Sequence, residues 1–128
     1  MSFRMPARLR ERLDRATQRA SGETRSQLAL RLIDEGLRME AHPGILFRPG
    51  PSGRRPGLVG GPDVWEVARV LRELPADEQG LARAVELTGL PLHQVRAAAR
   101  YYAEHADEID AWIAEVDRLA DELAPTTR

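Results

Sequence analysis

Apolar and polar positions change rhythm along the chain. Residues Ser2-Phe3-Arg4-Met5 alternate polar and apolar until Pro6, which predicts one very short β-strand. No second strand pattern follows within the next forty residues, so its backbone partner is not in the same stretch. From Pro6 to Ala20 the apolar positions Leu9, Leu13, Ala16 and Ala20 recur at helical spacing, and Pro6 suits a first helical turn. Ser21-Gly22-Glu23 breaks that helix. Thr24 followed by Gln27 reads as a capping box opening a second helix to about Glu40. Its apolar side, with Leu28, Ala29, Leu32, Ile33, Gly36 and Leu37, is too wide for two helices and one strand to enclose. Burial against a second copy is the simple expectation, with Leu9, Leu13, Leu28, Leu32, Ile33 and Leu37 in the dimer core.

Residues 42–61 carry proline and glycine in bursts. Ile45-Leu46-Phe47 and Leu58-Val59 flank Pro-Gly-Pro-Ser-Gly, which predicts a small hairpin or an irregular ordered loop. The helical rhythm then returns. Helices are expected over about Asp63–Leu74, Asp77–Thr88, Pro91–His105 and Asp107–Leu123. The third places Leu92, Val95, Ala99 and Tyr102 inward and His93, Arg96, Ala97 and Arg100 outward. The break at Gly89, Leu90 and Pro91 makes a helix-turn-helix. The last puts Ile109, Trp112, Ile113, Val116 and Leu119 on one stripe.

Charge sharpens this division. The 128 residues include no lysine, and all 19 basic residues are arginine. Such a bias follows from a GC-rich coding sequence, or from a need for bidentate phosphate contacts. Residues 1–20 hold six arginines against Glu11 and Asp14, a net +4. Residues 104–123 hold eight acids against Arg118, a net −7. A basic front and an acidic back suit two different partners. There is no cysteine, no apolar run long enough to span a membrane, and no apolar signal core, so a cytoplasmic location is expected. His42, His93 and His105 lack metal-ligand spacing, and no nucleophile-elbow motif occurs. Neither metal, cofactor nor catalysis is expected, and His105 and Glu108 read as helix-capping groups.

The run SFRMP followed by LRERLDRATQRASGETRSQLALRLIDEGL resembles the ribbon-helix-helix family, the Arc, MetJ and CopG group, over residues 2–40. The resemblance implies a strand paired antiparallel with its copy and entering the major groove. Phe3 and Met5 would face the dimer core, and Ser2 and Arg4 the DNA. An arginine fork at Arg4 grips guanine O6 and N7. Thr24, Arg25 and Ser26 would hold phosphate at a helix N-terminus, joined by Arg8 and Arg12. The strand is clipped relative to the family, leaving few side chains to read bases.

The stretches HPGILF, GRRPGLVGGPDVWEVARVL and LPLHQVRAAARYYAEHADEIDAWI are similar to the helical family called domain of unknown function 433, over about residues 42–113. Its members commonly resemble antitoxins encoded beside a PIN-type ribonuclease.

Together these readings predict a mainly α protein. Residues 1–41 would form a dimeric ribbon-helix-helix domain of one strand and two helices. Residues 42–124 would form a helical domain with a helix-turn-helix and a small β-hairpin. The expected function is that of an antitoxin of a type II toxin–antitoxin module (VapB kind), binding double-stranded operator DNA as a homodimer and neutralising a cognate ribonuclease toxin. His93, Arg96 and Arg100 form a second candidate DNA set; Asp110, Trp112 and Glu115 are candidates for contact with the toxin. The alternatives are a stand-alone transcriptional regulator, or a protein-interaction adaptor without nucleic acid.

Overall fold

The structure is a computed structural model that describes residues 4–20 and 22–124. It is mainly helical with one two-stranded antiparallel sheet. The chain divides into two compact units, Met1–Glu40 and Ala41–Arg128.

In the first unit, α1 (Ala7–Arg19) follows Pro6, and α2 (Arg25–Ala41) begins after Thr24 and ends one residue past the unit boundary. The capping box forms in full. The Thr24 N–H donates to Gln27 Oε1 at 2.9 Å, and the Gln27 N–H donates to Thr24 Oγ1 at 3.1 Å. Arg31 holds Glu23 with two hydrogen bonds of 2.9 Å and lies 3.7 Å from the buried Glu35. Leu13 and Leu28 are buried within the single chain, so their burial needs no second copy.

The expected strand is not seen at Arg4 and Met5, which take part in no strand pairing. A strand that pairs only with its own copy has no ladder to form in one chain. Ser2 and Phe3 lie outside the described residues.

In the second unit, β1 (Ile45–Arg48) pairs with β2 (Arg55–Leu58) in the register Ile45↔Leu58 to Arg48↔Arg55. The second strand starts three residues earlier than its apolar pattern suggested, and Val59 falls beyond it, exposed. Arg55-Pro56-Gly57 reads as a turn by composition, but here it is a strand. Pro56 is tolerated because β2 has a neighbour strand on one side only. Gly57 has a separate task. A Cβ there would lie 2.4 Å from the Arg48 guanidinium, which crosses the sheet at that point.

That guanidinium anchors the unit. Arg48 donates to Asp63 Oδ1 at 2.8 Å and to the carbonyls of Leu58 and Gly61 at 2.6 and 2.7 Å. Arg55 Nε donates to the other Asp63 oxygen, and Trp65 Nε1 approaches the same oxygen at 3.3 Å. The Asp63 N–H donates to Glu66 Oε2 at 2.9 Å, tying the start of α3 (Val64–Leu71) to this hub. The arginines of the Ser-Gly-Arg-Arg-Pro-Gly stretch and the glycine after them thus have a packing explanation.

Helix α3 packs against β2, α4 (Glu78–Thr88), α5 (Leu92–Glu104) and α6 (Ala106–Leu123). It ends at Leu71, short of the expected Leu74, because the chain tightens into i→i−3 bonds (Glu73 N–H to Val70, Leu74 N–H to Leu71) before Pro75. The core comprises Ile45, Leu58, Val64, Val67, Ala68, Ala98, Tyr101, Ile109 and Ile113.

The buried stripe of α5 is Val95, Ala98 and Tyr101, one residue off the expected Val95, Ala99 and Tyr102. Leu92 is 44% exposed rather than inward. The helix lies against α3, α4 and α6, so its buried sector is set by three neighbouring helices rather than by its own largest side chains.

Helix α4 opens tightly. The Asp77 carboxylate accepts from the Gly80 N–H at 2.9 Å, and a Cβ on Gly80 would sit 1.8 Å from the Pro75 carbonyl oxygen. Alanine is the better helix former by about 1 kcal/mol. Even so, Gly80→Ala is expected to destabilise the unit by about 2 kcal/mol, because backbone must move to admit the methyl. Urea unfolding followed by tryptophan fluorescence measures this; a stabilised variant would refute the close approach. Both tryptophans, Trp65 and Trp112, lie in this unit.

Candidate functional site

The basic face of the first unit is built on α1. Arg8, Arg12, Arg15 and Arg19 are spaced four, three and four residues apart, so they fall on one side of the helix, and all are exposed. Among the described residues, Arg4, Arg8, Arg12 and Arg19 have no carboxylate within ion-pair distance. Arg15 lies 3.8 Å from Glu11. This stripe is legible in the spacing of the arginines alone.

Of the group expected at the start of α2, Arg25 pairs with Asp14 at 3.0 Å. The Thr24 amide is used by the capping box, leaving its hydroxyl proton as donor. The Arg25 and Ser26 amides sit in the first turn, where a helix offers unpaired N–H groups.

The apolar side of α2 is uncovered. Leu32, Ile33 and Leu37 are 47%, 49% and 66% exposed; Leu30 and Met39 are exposed too, about half a turn apart around the helix. Leu9 of α1 is 47% exposed. Met5 is half-buried.

In the second unit, residues 89–91 join α4 to α5, with Gly89 at φ 72°. His93, Arg96 and Arg100 line a groove of about 500 Å³ with Pro43, Leu92 and Ala97. Arg96 is held there by both oxygens of Glu78, at 3.0 and 3.2 Å. These hydrogen bonds from Arg96 hold the Glu78 carboxyl below its ordinary pKa. His93 and Arg100 are exposed, and no described partner holds them.

Helix α6 is less free than its composition suggests. Asp110 accepts from the Tyr102 hydroxyl at 2.7 Å and lies 3.6 Å from Arg72. Burial, together with Asp110, raises the Tyr102 pKa. Glu115 and Glu122 share Arg118, and Asp117 pairs with Arg69. Trp112 is half-buried in a small recess beside Arg54, Pro56 and Trp65. Asp110 and Trp112 stand about 160° apart around the helix, so Asp110, Trp112 and Glu115 form no single surface. Asp107 and Asp121 are exposed and have no described partner.

His105 stands between α5 and α6 at a capping position, yet its side chain makes no cap hydrogen bond. The structure instead gathers it with His42 and Glu104, a cluster that sequence spacing hid.

No described helix is long and apolar enough to cross a membrane. In comparisons with known proteins, no family model, no curated protein and no solved structure matches the chain.

Proposed function

We propose that this chain is an operator-binding repressor that works as a homodimer, and that it serves as the antitoxin of a toxin–antitoxin pair. The observation that carries the DNA-binding reading is the pairing of two surfaces in one small unit. An apolar side of α2 is left uncovered, and α1 carries a stripe of arginines with few carboxylates to neutralise it. A unit of about forty residues cannot bury such a side alone. A second copy covers it and brings two arginine stripes and two Arg4 side chains together. Phosphates then neutralise the arginines, while Arg4 reads base edges.

The antitoxin role rests on the resemblance of residues 42–113. The engagement of Asp110, Glu115 and Asp117 within the chain favours a second reading, a stand-alone regulator whose helical unit binds no toxin.

The test is binding of the full chain to the DNA upstream of its own gene, followed by fluorescence anisotropy across salt concentrations. Arg8→Ala and Arg12→Ala are expected to weaken binding to every sequence and each lower the salt slope by about 1. Arg4→Ala is expected to weaken the specific site alone, by roughly tenfold or more. Unchanged binding in all three variants would remove this unit from DNA contact. Co-purification with the neighbouring gene product separates the two readings: a stoichiometric complex supports the antitoxin, and its absence supports the stand-alone regulator.

A further inference from the structure

We propose that His42, Glu104 and His105 form a binding site for a divalent transition ion of the zinc type. His42 lies just before β1, Glu104 ends α5, and His105 separates α5 from α6. Folding brings them together across 62 residues of sequence, with His42 Nε2 2.6 Å from Glu104 Oε2. The same oxygen lies 3.8 Å from His105 Nε2, and one ligand atom from each residue falls within 4.8 Å of the others.

Tetrahedral ligation at zinc distances separates neighbouring donor atoms by about 3.3 Å and imidazole centroids by about 5 Å. The His42 and His105 ring centroids are 5.9 Å apart. The donor atoms therefore reach the required geometry with adjustments on the order of an ångström. Glu104, its side chain 62% exposed, adjusts its own distances to the two histidines, and the gap between the imidazoles closes by rotation of the His105 side chain, which is 23% exposed.

The surroundings resemble a built site rather than a chance meeting. His42 is buried, and its ring is set edge-on against the fully buried Tyr101 at 5.1 Å. Tyr101 also packs on the His105 ring at 4.4 Å. The two nitrogens of His105 face different carboxylates: Nε2 faces Glu104, while Nδ1 lies 3.8 Å from Glu108. A ligating imidazole usually directs its other N–H to a carboxylate, which fixes the ring and its tautomer, and Glu108 stands about 1 Å short of that contact.

Two imidazoles and one carboxylate suit zinc, cobalt or nickel. Calcium and magnesium ask for more oxygen donors, and copper(I) for thiolate or thioether. Three protein ligands leave a fourth position, on the side of the exposed Glu104. The ion would cross-link the segment entering β1 to the α5–α6 junction.

The experiment uses the full chain without an affinity tag, stripped of metal and titrated with zinc against a chromogenic chelator. Cobalt is added in parallel to read the visible bands of a tetrahedral site. One ion per chain at micromolar free zinc is expected, with tetrahedral cobalt bands. Glu104→Gln, an exposed change that leaves the core intact, is expected to weaken zinc at least tenfold, as is His105→Ala. Glu108→Gln is expected to weaken it by about tenfold through His105, and His93→Ala to leave it unchanged. Circular dichroism confirms that each variant is folded. Absence of stoichiometric zinc, or equal affinity in the folded Glu104→Gln variant, overturns the site.

Discussion

Asp63→Ala is expected to lower the stability of the helical unit by about 3 kcal/mol, the scale on which removing one partner of a buried ionic network acts. Asp63 is 8% exposed and receives Arg48, Arg55 and Trp65 on its two oxygens. Without it, two guanidiniums, each with a side chain only about a quarter exposed, lose their anion. The loss is less than for a fully dry pair, because Arg48 keeps the Leu58 and Gly61 carbonyls and Arg55 keeps the Pro49 carbonyl. Asp63→Asn separates charge from shape. It retains much of the hydrogen bonding and is expected to cost about half as much. Urea unfolding of the full chain, read by tryptophan fluorescence, measures both. A midpoint within error of the wild type for Asp63→Ala would show that the hub does not hold the hairpin to α3.

The second large effect tests the proposed dimer. Leu32→Glu combined with Leu37→Glu places carboxylates where a two-fold related copy of α2 would cover them. In a symmetric interface each change counts twice. We expect a weakening of at least about 4 kcal/mol, roughly a thousandfold in the dimer dissociation constant. At micromolar concentration the variant should run as a monomer in light scattering and lose operator binding. The fluorescence of Trp65 and Trp112 should stay unchanged, because both belong to the other unit. A dimer that survives both substitutions would place the interface elsewhere.

Much of the helical architecture was legible in the sequence because its signals are local. The Thr24–Gln27 capping box and the stop at Gly89 depend on neighbours a few residues away. Where a second element decides the outcome, the pattern misled. The α5 stripe shifted to Ala98 and Tyr101 because three helices pack against it. The second strand runs through Arg55-Pro56-Gly57 because the Arg48 guanidinium needs a residue without a Cβ at Gly57, a demand invisible in a Pro-Gly run. At the candidate sites, the arginines of α1 stood in plain view. The internal pairing of Arg96 with Glu78 and of Asp110 with Arg72 did not, since it depends on which helix faces which. His42 and Glu104 are the extreme case, with nothing in their spacing to join them.

Two polar contacts of the helical unit also set an order of assembly. The Arg48–Asp63 contact closes a loop of 15 residues, whereas His42–Glu104 closes one of 62. By chain entropy the longer closure costs about 1.3 kcal/mol more. Local contacts therefore repay their cost sooner. The hairpin and the first turn of α3 are favoured as the early nucleus, and the His42 pair belongs among the last contacts to form.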